Sequence, residues 1–374
     1  MNKIKIAHVL DSVGGVEVYL RLITENMNSD IFDNIIIHKI NKNKKSYYNK
    51  SNSLIKEFDI PIQREISLFK DLKAVYLTIK VLKKEKPDVI HAHSAKGGII
   101  ARLASLIYKV NVLHTPHAYS YLSANSKLKS KLFLVIEQVF KNFNSYLLAT
   151  SESEKLRGIK DVGYSKNRVF VLNNSILPIS KQQEENQLRL PDEYICTVGR
   201  PSFQKNLEMM IEVIKLLKRK KPNIFLVIMG VGEYSPNKES IKALIKAYKL
   251  ENNIKLIEWM EREKIFQIIS KSKIYISTSR YEGLPYSIIE SLALSKACVV
   301  TDCDGNRDLI KDGYNGYIVG QNDVDLMSEK IHYLFNNKDV REKFEKNSFN
   351  YFEKNFNIKK NIKKLENIYN NFNL

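Results

Sequence analysis

The feature that most constrains the fold is an alternation of short β-branched runs with helical segments, which stops once and then begins again. In the first half, Ile4–Leu10, Asn34–Ile40, Asp88–His93, Asn111–Thr115, Ser145–Thr150 and Arg168–Leu172 are short and apolar. Between them, segments such as Val16–Met27 and Leu72–Glu85 carry apolar residues at helical spacing. Strands that alternate with helices build βαβ units, and βαβ units build a parallel sheet. Ser180-Lys-Gln-Gln-Glu-Glu-Asn-Gln187 is polar, lacks apolar periodicity and reads as a linker. The pattern then restarts with Tyr194–Val198, Asn223–Met229, Asn253–Ile257, Lys273–Ser277 and Ala297–Thr301. From about Val324 onward the chain is helical, charged and aromatic, with no strand. The length of 374 residues suits two domains. The expected fold is α/β, with two Rossmann-like domains, 1–178 and 188–355, facing across a cleft of the kind that binds ligands. Residues 356–374 are expected to form a helix that crosses back to the first domain.

The most informative local stretch is Thr278-Ser-Arg-Tyr-Glu-Gly-Leu-Pro-Tyr-Ser-Ile-Ile-Glu290. It follows the strand at Lys273–Ser277. Gly283 allows a sharp exit, and Pro285 suits the first position of a helix that runs through Leu294. Glu282 therefore falls in the loop above the carboxyl end of a strand, and Glu290 on the helix behind it. Open α/β sheets bind ligands at that edge, and the N–H groups at a helix start favour phosphate. Carboxylates for hydroxyls beside N–H groups for phosphate suit a phosphorylated, polyhydroxylated ligand.

Other loops occupy equivalent places above strand ends. Gly14-Gly15 allows close backbone approach at a helix start; it is neither a G-x-G-x-x-G fingerprint nor a Walker motif, and it also reads as a structural turn. In Gly199-Arg-Pro-Ser-Phe-Gln-Lys-Asn206, Arg200 and Lys205 are placed to clamp a diphosphate, or to form a solvated basic loop. Gly230-Val-Gly232-Glu233, Thr301–Asp308 and Asp312–Gly316 read as turns that either line a site or merely connect elements. His117, in His114-Thr-Pro-His-Ala-Tyr119, either contacts a substrate hydroxyl or is structural. His91 and His93 share one face of a strand with no carboxylate cluster beside them, so no metal site is expected.

The net charge of +19 is uneven. Residues 1–180 hold 28 Lys and Arg against 15 Asp and Glu, which is +13 of the total. That excess suits an anionic partner, or reflects a bias in codon composition. No aromatic-basic repeat or nucleic-acid module accompanies it, so no nucleic-acid partner is expected. Three cysteines without metal spacing suit a reducing cytoplasm. The N-terminus reads as a first strand rather than a signal peptide, and no run approaches a membrane span. The segment from Lys127 to Lys141 sets lysines beside an apolar helical face. It reads either as an interfacial helix on an anionic membrane or as an amphipathic core helix.

In this order, the motifs resemble those of retaining glycosyltransferases of family 4, which have the GT-B fold. The resemblance runs from Gly14-Gly15 to Gly316 and is most specific from Gly199 onward. Glu282 and Glu290 meet the family's E-x7-E pattern. Gly199, Arg200, Gln204, Lys205 and Asn206 meet its G-R-x(n)-Q-K-N pattern, and the His117 and Ser151-Glu-Ser-Glu154 segments also match. The resemblance implies a UDP-sugar donor and no cofactor or metal. It assigns Arg200 and Lys205 to the diphosphate, Glu290 to the ribose, and Glu282 and His117 to the transferred sugar. It also places Gly14, Gly15, Gly283, Leu284, Gly232 and Met260 around the donor. Members that resemble the His117 segment act on bacterial surface polysaccharides. A glycan on a lipid carrier is therefore the expected acceptor, and the inner face of the cytoplasmic membrane the expected place of work, as a hexosyl- or N-acetylhexosaminyltransferase. A sugar-nucleotide epimerase of the same fold is the alternative. The chain departs from the family at Asn174-Ser175, at Glu258-Trp-Met260 and at Asn306-Arg-Asp308, the last two near the base and the sugar.

Overall fold

The computed structural model describes residues 3–11, 14–41, 44–63, 67–124, 126–180, 189–232 and 235–372. The chain divides into two units, Met1–Ser175 with Asn357–Leu374, and Ile176–Phe356. The stretch read as a linker lies, from residue 181 on, outside the described residues.

The first unit holds seven strands: β1 (Ile4–Val9), β2 (Phe32–His38), β3 (Lys56–Asp59), β4 (Val89–His93), β5 (Val112–Thr115), β6 (Ser145–Ala149) and β7 (Val169–Val171). They form one parallel sheet in the order β3-β2-β1-β4-β5-β6-β7. Its helices are α1 (Gly15–Asn26), α2 (Leu68–Glu85), α3 (Ser94–Ser105), α4 (Lys127–Phe140) and α5 (Glu152–Arg157). β4 and β5 are buried along their length, and β1 from Ile6 onward, because helices cover the sheet; their buried positions are apolar apart from the histidines and Thr115. Ala7, Val9, Ile35, Ile37, Ile90, Ala92 and Val112 carry that core against Ala74, Leu82, Ile100 and Ala104 of α2 and α3.

The second unit holds β8 (Ile195–Val198), β9 (Leu226–Met229), β10 (Ile254–Ile257), β11 (Ile274–Ser277), β12 (Cys298–Thr301) and β13 (Gly316–Val319). All pairs are parallel, in the order β10-β9-β8-β11-β12-β13. Between and after them come α6 (Leu207–Lys220), α7 (Lys238–Ala247), α8 (Arg262–Lys271), α9 (Tyr286–Ala293), α10 (Asp304–Leu309), α11 (Val324–Asn336) and α12 (Lys338–Asn355). α13 (Ile358–Phe372) belongs to the first unit. There Glu366 accepts from the Asn28 N–H at 2.7 Å and Tyr369 hydroxyl lies 2.6 Å from His91 Nδ1.

Three strands differ from the sequence reading. β3 is an edge strand with the polar sequence Lys-Glu-Phe-Asp and no fully buried residue, so it carries no apolar run. β13 begins at Gly316, which reads locally as the end of a turn; it is the other sheet's edge, and Tyr317 and Ile318 are only half-buried. The second strand begins at Phe32, two residues earlier than its apolar run, because buried Phe32 pairs with Ile4 of β1.

Candidate active site

In each sheet the strand order reverses once. In the second unit the reversal lies between β8 and β11, which pair directly. Loops above such a switch point diverge and leave room for a ligand. They are Gly199–Asn206 after β8 and Thr278–Pro285 after β11, the two richest motifs of the sequence.

The two loops are stitched together. The Arg280 N–H donates to Gln204 O at 2.8 Å, and the Thr278 hydroxyl donates to the carbonyls of Lys205 and Asn206 at 2.9 Å each. The Arg280 guanidinium lies 4.3 Å from the Phe203 ring centre. Inside this frame Lys205 Nζ donates to Glu282 Oε1 at 2.6 Å, and Gln204 Nε2 to Glu282 Oε2 at 3.1 Å. Glu282 is buried, so the ammonium and the amide together satisfy a carboxylate removed from water. A Cβ on Gly199 would stand 3.2 Å from the Lys205 stem, so a side chain there would crowd the lysine. Arg200 is exposed, and no ion pair to it occurs among the described residues.

Glu290 lies on α9 and is buried, with Arg262 donating to it. Burial raises its pKa and the Arg262 charge offsets part of the rise. Arg262 is a site residue that sequence reasoning missed. It opens α8 in the charged run Glu261-Arg-Glu-Lys264, and nothing local separates it from its neighbours. The pair ties the turn that carries Met260, itself half-buried, to α9. Trp259 packs against Gly232: a Cβ on that glycine would fall 2.6 Å from the indole Cδ1. Leu284 is buried beside Gly283, whose carbonyl is backed by Gly305; any Cβ there would sit 2.3 Å from the Gly283 oxygen. The Thr301 hydroxyl donates to Ser279 O at 2.6 Å, and Gln321 Nε2 donates to the same oxygen at 3.2 Å, so the loops after β12 and β13 brace the central one. Asp302 and Asp304 are both engaged by Arg307.

The first unit presents the other predicted residues above the carboxyl ends of β1 and β5, beside its own switch point between β1 and β4. Gly14 takes a φ of 60° to open α1, and Gly15 is that helix's first residue. Ser12 and Val13 between Asp11 and this turn lie outside the described residues, as does Glu233 in the second unit. His117 and Ala118 both have positive φ, 55° and 85°, which is strained for residues with a Cβ. Glu154 holds them: its Oε1 accepts from the Ala118 N–H at 2.8 Å, and its Oε2 from the Thr150 N–H at 2.6 Å. His117 Nε2 lies 3.3 Å from His93 Nδ1.

Beneath His117, β1 adds His8 to His91 and His93. The three offer ring nitrogens within 4.8 Å of one another, all buried. Those nitrogens are hydrogen-bonded, His91 to Tyr369 and Thr115, and His8 to Asn34 and His93. Burial lowers the pKa of His8 to about 4 and of His117, aided by His114, to about 3. Burial, then the neighbouring imidazoles, likewise hold His91 and His93 well below the usual range. All four rings are therefore neutral near pH 7.

Two family descriptions match successive parts of the chain: Glycosyltransferase Family 4 over residues 13–177 and Glycosyl transferases group 1 over residues 178–351. An Escherichia coli protein, UDP-Gal:alpha-D-GlcNAc-diphosphoundecaprenol alpha-1,3-galactosyltransferase, is 29% identical over 387 residues, with 98% of this chain and 97% of that protein covered. The capsular polysaccharide biosynthesis glycosyltransferase CapM of Staphylococcus aureus is 26% identical, with 84% of each covered. Among solved structures, Anabaena Alr3699/HepE in complex with UDP and glucose matches with a TM-score of 0.81 at 16% identity, over 98% of this chain and 99% of that one. Two parallel sheets of seven and six strands and the likeness to the HepE structure define the GT-B fold, and the two family descriptions with the two relatives make the chain a glycosyltransferase. The chain belongs to glycosyltransferase family 4, its second half being a group 1 glycosyl transferase domain.

Proposed function

We propose that the chain transfers a hexosyl or N-acetylhexosaminyl group from a UDP-sugar to a lipid-carrier-linked glycan, with retention of anomeric configuration, during synthesis of a bacterial surface polysaccharide. The observation that carries this reading is the cluster of Lys205, Gln204 and Glu282 at the switch point, with Glu290 on the following helix. Glu290 takes the ribose hydroxyls and Glu282 a hydroxyl of the sugar. Arg200, Lys205 and the N–H groups that open α9 take the diphosphate. The name of the Escherichia coli relative supports the donor and the lipid-linked acceptor, and that of the Staphylococcus aureus relative the capsule setting.

Retention shapes the chemistry. Transfer from an α-linked donor to an α-linked product requires it, and alpha-1,3 is the linkage in the relative's name. In a front-side displacement the leaving phosphate oxygen takes the acceptor's proton. The protein then works by holding the reactants and by stabilising charge on the departing diphosphate. Glu282, already bound by an ammonium and an amide, acts as a sugar anchor rather than a nucleophile. A panel of nucleotide sugars in a thermal-shift assay tests the donor, since a ligand that binds only the native state raises the midpoint. A rise with UDP-sugars supports the reading; none with any UDP-sugar contradicts it. Conversion of the UDP-sugar to an isomer, without an acceptor, would point to the epimerase instead.

Two cations and a helix N-terminus neutralise the diphosphate, and Arg307 already engages Asp302 and Asp304. Activity is therefore expected to survive excess chelator. A strict requirement for magnesium or manganese in the same assay would refute this and turn attention to those two aspartates.

Two helices of the first unit support work at a membrane surface. On α4, Leu128, Leu132, Val135 and Val139 are exposed at 80%, 54%, 44% and 47%, in one row beside Lys127, Lys129 and Lys131. On α2, Leu68, Phe69, Leu72 and Tyr76 are exposed beside Lys70 and Lys73. α3 bridges the two, through Lys96 to Asp71 at 2.7 Å and Arg102 to Glu137 at 3.0 Å, so the three lie in one layer. Among the described residues no helix is long and apolar enough to cross a membrane. Apolar rows edged by lysine suit a peripheral seat on anionic lipid. Each lysine near such a surface adds about 1 kcal/mol, screened by salt. Co-sedimentation with vesicles containing anionic lipid is expected to fall as salt rises, and further in the K127E/K129E/K131E variant. A wild-type chain that ignores such vesicles at low salt would remove the membrane from the account.

A further inference from the structure

A directed chain of hydrogen bonds runs through the histidines of the first unit. Asn34 Oδ1 lies 2.9 Å from His8 Nε2, and Asn34 Nδ2 is turned the other way, 3.9 Å from Met27 Sδ. An amide oxygen only accepts, so His8 carries its proton on Nε2 and offers a lone pair at Nδ1. His93 Nε2 is 3.1 Å from that Nδ1 and must donate to it. His93 Nδ1 is then the acceptor for His117 Nε2 at 3.3 Å. Each ring holds a single proton, so the direction set at Asn34 passes to the end. His117 is left with an unprotonated Nδ1. The residue is half-buried, and among the described residues this nitrogen has no hydrogen-bond partner.

We infer that Asn34, His8 and His93 are positioning residues that hold His117 in its Nε2–H tautomer, making Nδ1 a fixed acceptor for one hydroxyl group of a sugar substrate. The inference rests on the glycosyltransferase reading for the identity of that hydroxyl, but not for the tautomer. An imidazole free to choose would divide between two tautomers, and only one of them can receive a hydroxyl proton at Nδ1. The strained turn at His117 and Ala118, held by Glu154, fixes where that acceptor stands. A substrate analogue with the hydroxyl replaced by hydrogen would leave the acceptor unpaired and bind less well.

Protein labelled with 15N-histidine tests this through two-bond 1H–15N spectra. His8, His93 and His117 should all show a protonated Nε2 and a bare Nδ1, from pH 8 down to about 5, since burial keeps the rings neutral in that range. Asn34→Leu should let His117 mix tautomers and should lower kcat/KM on a UDP-sugar roughly three- to tenfold, the worth of one neutral hydrogen bond. Asn34→Asp, which keeps an acceptor facing His8, should restore both. A His117 protonated on Nδ1 in the wild type would overturn the inference without any variant. So would a rate loss in Asn34→Leu with the tautomer unchanged, which marks a merely structural role. Stoichiometric zinc in the purified protein would also overturn it, because a metal held by His8, His91 and His93 consumes the lone pairs the chain needs. The tautomer pattern without transfer from any UDP-sugar would overturn the assignment of the hydroxyl and leave the tautomer standing.

Discussion

Lys205→Ala is expected to lower kcat on a UDP-sugar roughly 100- to 1,000-fold, the usual cost of removing a donor aimed at charge that develops in the transition state. The ammonium donates to Glu282 at 2.6 Å. Both groups sit above the same switch point, so a diphosphate arriving there shares the lysine with the carboxylate or takes it over. The alanine variant leaves Glu282 with Gln204 alone, which should cost stability about 1–3 kcal/mol, the range for a buried acceptor that loses a partner. Lys205→Arg keeps the charge but not the point geometry and should fall between the two. Steady-state kinetics beside thermal unfolding separates the effects. Near wild-type turnover in Lys205→Ala would remove the clamp from the account.

Glu282→Gln and Glu290→Gln are expected to separate the sugar from the nucleotide. Glu290→Gln should weaken UDP and UDP-sugar alike, by roughly ten- to a hundredfold, the range for a lost hydrogen bond to a charged group. It also leaves the Arg262 guanidinium with a neutral acceptor in place of its carboxylate. Glu282→Gln should weaken the UDP-sugar by a similar factor and leave UDP nearly untouched, because UDP has no sugar to anchor. Released from its ion pair with Glu282, Lys205 is freer to bind phosphate, so any change in UDP affinity should be towards tighter binding. Calorimetry with both ligands on both variants reads this directly. Equal losses of UDP and UDP-sugar in Glu282→Gln would exchange or cancel the two roles.

Much of this architecture was legible because parallel strands covered on both faces are mostly apolar, with the few buried polar side chains hydrogen-bonded. β1, β4, β8, β11 and β12 announce themselves that way. β3 and β13 did not, since an edge strand needs few buried side chains. The carboxylate pair and the Gly199–Asn206 loop were legible because each is a local pattern with a Gly or Pro that fixes its backbone. Their joining was not: Lys205 and Glu282 are 77 residues apart and meet only because β8 pairs with β11. Arg262 stayed hidden among like neighbours for the same reason. His91 and His93 were visibly on one face, but His8 joins them only through the pairing of β1 with β4, where it stands opposite His91. On α4 the periodicity defines an apolar row, while only packing decides that Phe133 and Leu134 turn inward and Leu128, Leu132, Val135 and Val139 outward.

The most direct measurement is the anomeric configuration of the product. Purified protein would be given UDP-galactose and a GlcNAc-diphospholipid, the substrates named for the Escherichia coli relative, then other UDP-sugars in turn, with excess chelator present. The coupling constant of the new anomeric proton would be read by NMR. The account predicts UDP release coupled to an α-linked product from an α-linked donor. A β-linked product, or an isomerised nucleotide sugar with no transfer, would contradict it.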